Sequence, residues 1–282
     1  MMDLPRRLSA SRPALMGILN RTPDSFSDGG QHDVLSLAVS AVRQMMLEGA
    51  ELIDVGGEST RPGADPVDPS VQLARVCPLL DAVVQEGWMS EAVGFSIDTR
   101  SATVAEAALS RGCVLVNDVS AGQDPEMFDV VAAHGASIVL MHMQGEPKTM
   151  QNAPHYPDVV REVRKFLEGR VACARERGIP PDRIILDPGI GFGKTRAHNL
   201  ALIRSLDQLV ELGYPVLLGC SRKRFMGAVC GEENPAELLG ATVTTTVLGL
   251  LQGVKLFRVH DVRPNRQAID LALALKETSG PA

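Results

Sequence analysis

The chain has 282 residues, 45% of them apolar and 22% charged, with a formal net charge of −6. That is enough to fill a complete core, and one α/β barrel of about 250 residues suits the length as well as two domains do. The acidic balance argues against a general nucleic-acid or anionic-membrane surface, so an anionic substrate would have to be gathered by a local basic cluster. No run reaches the roughly 18 apolar residues of a membrane span, and no apolar stretch follows the charged opening MMDLPRRLSASRP as in a signal peptide. Five scattered cysteines (77, 113, 173, 220 and 230) without a C-x-x-C pair suit reduced thiols or small core residues, and the expected location is cytoplasmic.

Past residues 1–13, expected to be a flexible segment, the first apolar run is ALMGILN (14–20), which closes on Asn20. A turn-rich stretch to Gly30 follows, then Val34, Leu35, Ala38, Val42, Met45 and Met46 at helical spacing before Gly49. ELIDVGG (51–57) leads into ESTRPGA (58–64), and VGFSIDT (93–99) precedes a helix carrying Val104, Ala105, Ala108 and Leu109 before Gly112. The remaining runs are VLVNDVS (114–120), SIVLMHM (137–143), IILDPG (184–189), PVLLGCS (215–221) and KLFRVHD (255–261), and the last helix spaces Ile269, Leu271, Leu273 and Leu275. Alternating strands and helices imply parallel strands joined by helical crossovers. Eight such units, with no composition break, predict a single (β/α)8 TIM barrel over residues 14–278. Asn20, Asp54 with Glu58, Asp98, Asn117, His142, Asp187, Ser221 and His260 all fall at or just past the C-terminal end of a run. In a barrel those ends share one face, where active sites of this fold are built.

LDPGIGFGKT (186–195) first suggests a phosphate cradle. A P-loop would need Gly where Pro188 stands, and the alternating Gly189, Gly191 and Gly193 do not match the dinucleotide fingerprint either. The better reading is a buried strand that delivers Asp187 to a site and then breaks into a loop. Asp98, Asn117 and Asp187 could each cap a helix, but Thr99, Ser101 and Asp124 are competing caps nearby. Three such groups on one face point to a polar pocket that reads the N–H edge of a flat heterocycle, since buried carboxylates need donors.

Cations gather on the last two loops. SRKR (221–224) follows the seventh strand, and Arg258 and His260 alternate on the eighth, so they point the same way. Arg224 reads as an ordinary solvated charge, whereas Lys223, Arg258 and His260 stand where barrels often hold phosphate. The loops at 20–30 and 58–64 carry hydroxyls, an Arg each and an aromatic or proline, which suits lids over an anionic substrate. His142 reads as a core histidine rather than a ligand. Without H-E-x-x-H or a cysteine cluster, zinc is not expected.

MGILNRTPDSFSDGG (16–30), LIDVGGESTRPGA (52–64), SIDT (96–99), VNDVSAG (116–122), LMHMQGEPKTMQ (140–151), LDPGIGFGKT (186–195), GCSRKRFMG (219–227) and RVHDV (258–262) together resemble the dihydropteroate synthase family. The resemblance implies condensation of 6-hydroxymethyl-7,8-dihydropterin diphosphate with 4-aminobenzoate, giving 7,8-dihydropteroate and diphosphate in folate synthesis. It implies a pterin pocket of Asp98, Asn117, Met141, Asp187, Phe192, Gly219, Lys223 and Arg258. Asn20 would ligand Mg²⁺ on the diphosphate, whose oxygens Thr60, Arg61, Arg258 and His260 would hold. Phe26, Thr60, Pro62, Ser221 and Lys223 would frame the aminobenzoate, the position sulfonamides mimic. Asp98, Asp187, Lys223, Arg258 and His260 would carry the chemistry, by a dissociative route through a pterin cation. A homodimer through the last helices is implied as well.

Arg21 departs from the family pattern, which has a small aliphatic residue there; it could add a cation to the diphosphate site or point to solvent, and solvent is the expected direction. Cys220 occupies a variable slot and reads as packing. A methyltetrahydrofolate methyltransferase would share the pterin acids but would not need ESTRPG or SRK, and a non-catalytic pterin-binding paralogue would not need Asn20, Lys223, Arg258 and His260 together.

Overall fold

The computed structural model describes residues 2–21, 31–59 and 63–277. In chain order the elements are α1 (Leu4–Ser9), β1 (Ala14–Asn20), α2 (Gln31–Leu47), β2 (Leu52–Gly56), α3 (Pro69–Gln85), β3 (Gly94–Asp98), α4 (Ala102–Leu109), β4 (Leu115–Asp118), α5 (Met127–Ala133) and β5 (Ser137–Met141). Then come α6 (Val159–Glu176), β6 (Ile184–Asp187), α7 (Arg196–Arg204), α8 (Leu206–Val210), β7 (Leu217–Leu218), α9 (Arg224–Cys230), α10 (Leu239–Leu251), β8 (Leu256–Val259) and α11 (Val262–Glu277). No helix among the described residues is long and apolar enough to cross a membrane.

The eight strands run parallel in the order β6-β5-β4-β3-β2-β1-β8-β7. The ring closes where Leu186 bridges Val216 and the Leu186 N–H donates to the Pro215 carbonyl at 2.9 Å. This seam is the weakest in the barrel because β7 is short. The seventh run was expected over 215–221, but Pro215 has no N–H to give a ladder, and Arg222 turns the chain away at a φ of +59°.

Strand residues alternate between two cores, as the twofold repeat of a strand requires. The outward set (Leu15, Ile53, Phe95, Ile97, Val116, Ile138 and Leu186 among them) packs beneath the helices. The inward set (Met16, Leu52, Leu115, Val139, Ile185, Leu217 and Leu256) fills the N-terminal half of the barrel. Near-continuous apolar strands follow, since both faces are covered.

The opening segment departs from expectation. Residues 4–9 form a helix whose Leu4 and Leu8, with Met2, belong to the inward cluster and plug the barrel from below. Asp3 accepts the Arg6 N–H as cap, Pro5 sits in the first turn, and Arg7 pairs with Glu51. A six-residue helix shows too little periodicity to be recognised from spacing. With the lower half sealed by hydrocarbon, the charged strand residues gather towards the opposite mouth.

Candidate active site

Strand register brings the first polar layer together. Asn20 pairs with Gly56, Gly56 with Asp98, and Asp98 with Asn117, so four consecutive strands end at one level. Asp54 lies one layer deeper and is fully buried. Arg258, entering from β8, donates through Nε to Asp54 Oδ2 at 2.6 Å and through Nη2 to Asp98 Oδ2 at 2.7 Å. Asn117 Nδ2 donates to the same Asp54 oxygen at 2.9 Å. The other oxygens of the pair, Asp54 Oδ1 and Asp98 Oδ1, are buried with no hydrogen-bond partner among the described residues. Buried acceptors of this kind call for donors from a ligand. Burial pushes the Asp98 carboxyl up to about 7, against the opposing pull of Arg258 and with the help of Asp54, Glu58 and Asp118 nearby. None of these groups caps a helix: the first N–H of α4 goes to Asp124 at 2.8 Å, and Thr99 accepts from the Ser101 N–H.

The fourth expected anchor arrives from β6. Asp187 pairs with Met141 across the sheet, and its Oδ1 accepts the Gly189 N–H at 2.7 Å. Burial raises its carboxyl, opposed first by Lys223 and then by that amide bond and Lys194. The loop 188–194 wraps tightly over the end of β5. A Cβ on Gly189, at φ +67°, would lie 1.8 Å from the His142 carbonyl oxygen, so only glycine fits. Lys223 donates to the Ile190 carbonyl and stands 4.6 Å from the centroid of the Phe192 ring. Burial also lowers the Lys223 ammonium, against the pull of Asp187. Ser221 Oγ lies 3.0 Å from His260 Nδ1 and accepts the His260 N–H at 3.2 Å, which joins the seventh and eighth loops.

A cleft of about 800 Å³ opens over these groups. Asn20, Asp98, Phe192, Gly219, Ser221, Lys223, Arg258 and His260 all line it, and Asn117, Met141 and Asp187 stand towards the C-terminal ends of the same barrel's β4, β5 and β6. Acids and cations thus meet within one mouth, Arg258 on Asp54 and Asp98, and Lys223 close enough to act on Asp187. Phe26, Thr60, Arg61 and Pro62 lie outside the described residues. Arg224 is exposed, as expected of a solvated charge, and Cys220 is buried packing. Arg21 takes neither direction considered for it. Half-buried, it donates to the backbone carbonyls of Val34 at 2.8 Å and Arg75 at 3.1 Å, tying the start of the first loop to α2 and α3. His142 is a core histidine, 6% exposed, packed edge-on against Phe166 and bonded to Lys194.

Three groups had been given no role. Asp54 was visible as an acid inside an apolar strand, but only the fold shows it shared by Arg258 and Asn117. Lys194 lies in the rejected phosphate motif and proves to be buried at the cleft wall. Arg100 bridges Glu58 and Glu146, linking the bases of the second and fifth loops, and no spacing in the sequence announces that contact.

A family model described as pterin binding enzyme matches residues 16–260. A dihydropteroate synthase of Synechocystis is 44% identical over 265 residues, covering 94% of this chain and 90% of that protein. Among solved structures, the Xanthomonas albilineans dihydropteroate synthase with 4-aminobenzoic acid is 42% identical, with a TM-score of 0.89, covering 97% of this chain and 95% of that one. The same enzyme in complex with 7,8-dihydropteroate gives a TM-score of 0.85 at 39% identity, covering 97% and 96%.

Proposed function

The chain belongs to the dihydropteroate synthase family of pterin-binding enzymes, and from that premise we propose how its cleft joins 6-hydroxymethyl-7,8-dihydropterin diphosphate to 4-aminobenzoate. The observation that carries the reading is the buried, unpartnered carboxylate oxygen of Asp98, which shares one cavity with Lys223, Arg258 and His260. The relatives hold 4-aminobenzoic acid and 7,8-dihydropteroate in the same fold.

Asp98, Asn117 and Asp187 supply acceptors and an amide for the N–H edge of the pterin, while Phe192, Met141 and Gly219 shape its slot. Lys223, held by the Ile190 carbonyl, donates to the ring. Arg258, fixed by two carboxylates, lays its guanidinium along the pterin. His260 and Arg258 face the diphosphate and Ser221 the aminobenzoate; the family resemblance would add Thr60 and Arg61 to the first and Phe26, Thr60, Pro62 and Lys223 to the second.

The residues present fit Mg²⁺ only as a partner of the substrate. The described residues contain no group of three or more His, Cys, Asp or Glu that could cage a metal. Asn20 Oδ1 offers one hard oxygen at the mouth, 3.6 Å from where a Gly56 Cβ would lie, beside Asp98. That suits a cation which keeps water and takes phosphate oxygens. When bound, Mg²⁺ would neutralise charge on the departing diphosphate.

The C–O bond to diphosphate breaks first. The resulting cation is delocalised over the pterin, and the Asp98 and Asp187 carboxylates stabilise it; one such preorganised contact is worth about 3–4 kcal/mol. The amine nitrogen of 4-aminobenzoate then attacks the exocyclic carbon and loses its proton. An aromatic amine is already nucleophilic, so no strong base is required. The five free cysteines suit the cytoplasmic location we propose for the enzyme. Exposed Leu248, Leu251 and Leu271 on the adjoining α10 and α11 suit a homodimer.

A diphosphate-release assay with and without 4-aminobenzoate tests the reading. Release that depends on the amine is expected; pterin binding without release would reject it in favour of a non-catalytic binder.

A further inference from the structure

We propose that Lys194 is a positioning residue of the pterin pocket, anchoring the loop 188–194 to the end of β5 and placing a titratable cation near Asp187. This deepens the assignment of the cleft as a pterin site and rests on it. Lys194 is 3% exposed. Its Nζ bonds to His142 Nδ1 at 2.9 Å, the His142 carbonyl at 3.1 Å and the Phe192 carbonyl at 2.9 Å, none of them a carboxylate. Burying an ammonium on neutral acceptors is unfavourable, and a methionine would fill the space more cheaply if packing alone mattered.

The loop that this nitrogen holds performs three tasks. Its Gly189 N–H fixes Asp187 Oδ1, its Ile190 carbonyl holds Lys223, and its Phe192 ring lies under the Lys223 ammonium. Nζ stands 3.3 Å from where a Gly189 Cβ would be, so it lies against the residue whose amide holds the carboxylate. The charged and titratable groups acting with Lys194 are Asp187 on β6, Lys223 beyond β7, His142 beyond β5 and His198 on α7. Burial lowers the ammonium to about 7, and burial followed by Lys194 lowers His142 to about 3. His142 is therefore a neutral acceptor at Nδ1 rather than a competing cation.

The test is binding of 6-hydroxymethylpterin, which lacks the leaving group, to the full-length protein between about pH 5 and 8. Wild type, K194Q and K194M are compared, with hydrogen exchange of the loop amides. Asp187 must be ionised to accept from the pterin. Losing the cation raises its carboxyl further, so the acid limb of binding, to which Asp98 also contributes, should move to higher pH in both variants. Below that range both should bind roughly tenfold more weakly than wild type. K194Q, which keeps a donor, should retain protection of the Gly189 and Ile190 amides, and K194M should lose it. A folded K194Q with wild-type affinity and an unmoved acid limb would overturn the proposal, whatever the fate of K194M. Failure of the wild type to bind the pterin would instead overturn the pocket assignment itself.

Discussion

One oxygen of Asp187 is held by a backbone amide, and burial opposes its charge; Asp98 has Arg258 as its partner, and its charge is opposed by burial together with Asp54, Glu58 and Asp118. Replacing Asp187 with Asn keeps the shape and removes the charge. Steady-state kinetics of D187N should show roughly a tenfold or greater loss of kcat/KM with a native circular-dichroism spectrum, and a near-normal value would reject the role. Asp98 makes a prediction in pH. With its carboxyl at about 7, kcat/KM should fall as pH drops through that value, because the protonated acid no longer accepts from the pterin or balances the cation. Its effect on stability has the opposite sense. A carboxyl raised on folding favours the native state fully below its ordinary value near 4, and that contribution is lost as pH rises through about 7. D98N should therefore flatten the decline in Tm from about pH 4 to 8, and an unchanged slope would contradict this. At this scale Asp98, Asn117 and Asp187 were legible because acids and amides at the ends of apolar runs have no packing reason to be there. The sharing of Asp54 between Arg258 and Asn117 was not, because its partners lie 204 and 63 residues away in sequence.

Among the elements, α1 and the loop 188–194 show two different relations between sequence and structure. Three glycines and a proline after an apolar run announce a break, and the loop is there, at positive φ for Gly189, Gly191 and Gly193. The helix α1 is short and charged outside, so its sequence resembles a frayed end; it is ordered because the open bottom of the barrel would otherwise expose Met16, Leu52 and Leu115. Truncating Leu4 or Leu8 to Ala should cost about 2–5 kcal/mol in denaturant unfolding. Kinetics should be nearly unchanged, since the plug is at the opposite end of the barrel from Asp98 and Asp187. A loss of stability below about 0.5 kcal/mol would mean that the plug contributes little. The contraction of the seventh strand to Leu217–Leu218 follows from Pro215 and the left-handed Arg222, both local facts that strand-like hydrophobicity outweighed in the reading of that run.

For the whole molecule, the barrel separates tasks by direction: hydrocarbon below, charge above, and helices around. The exposed leucines of α10 and α11 are the part this scheme leaves unused. Leu248 is 45% and Leu251 is 56% exposed, and Leu271 on the neighbouring helix is 64% exposed. If they form the dimer face, L248K with L251K should sediment as a monomer while wild type sediments as a dimer, and a monomeric wild type would dismiss the interface. Taken alone, the sequence determined the number of strands, their parallel sense and the face on which polar residues gather, because twofold and 3.6-residue periodicities and turn residues are local properties. Tertiary structure decided which charges share an oxygen, that Lys194 is enclosed rather than solvated, and that the first helix fills the barrel. Those outcomes depend on distances between residues far apart along the chain, and only closure of the ring sets them.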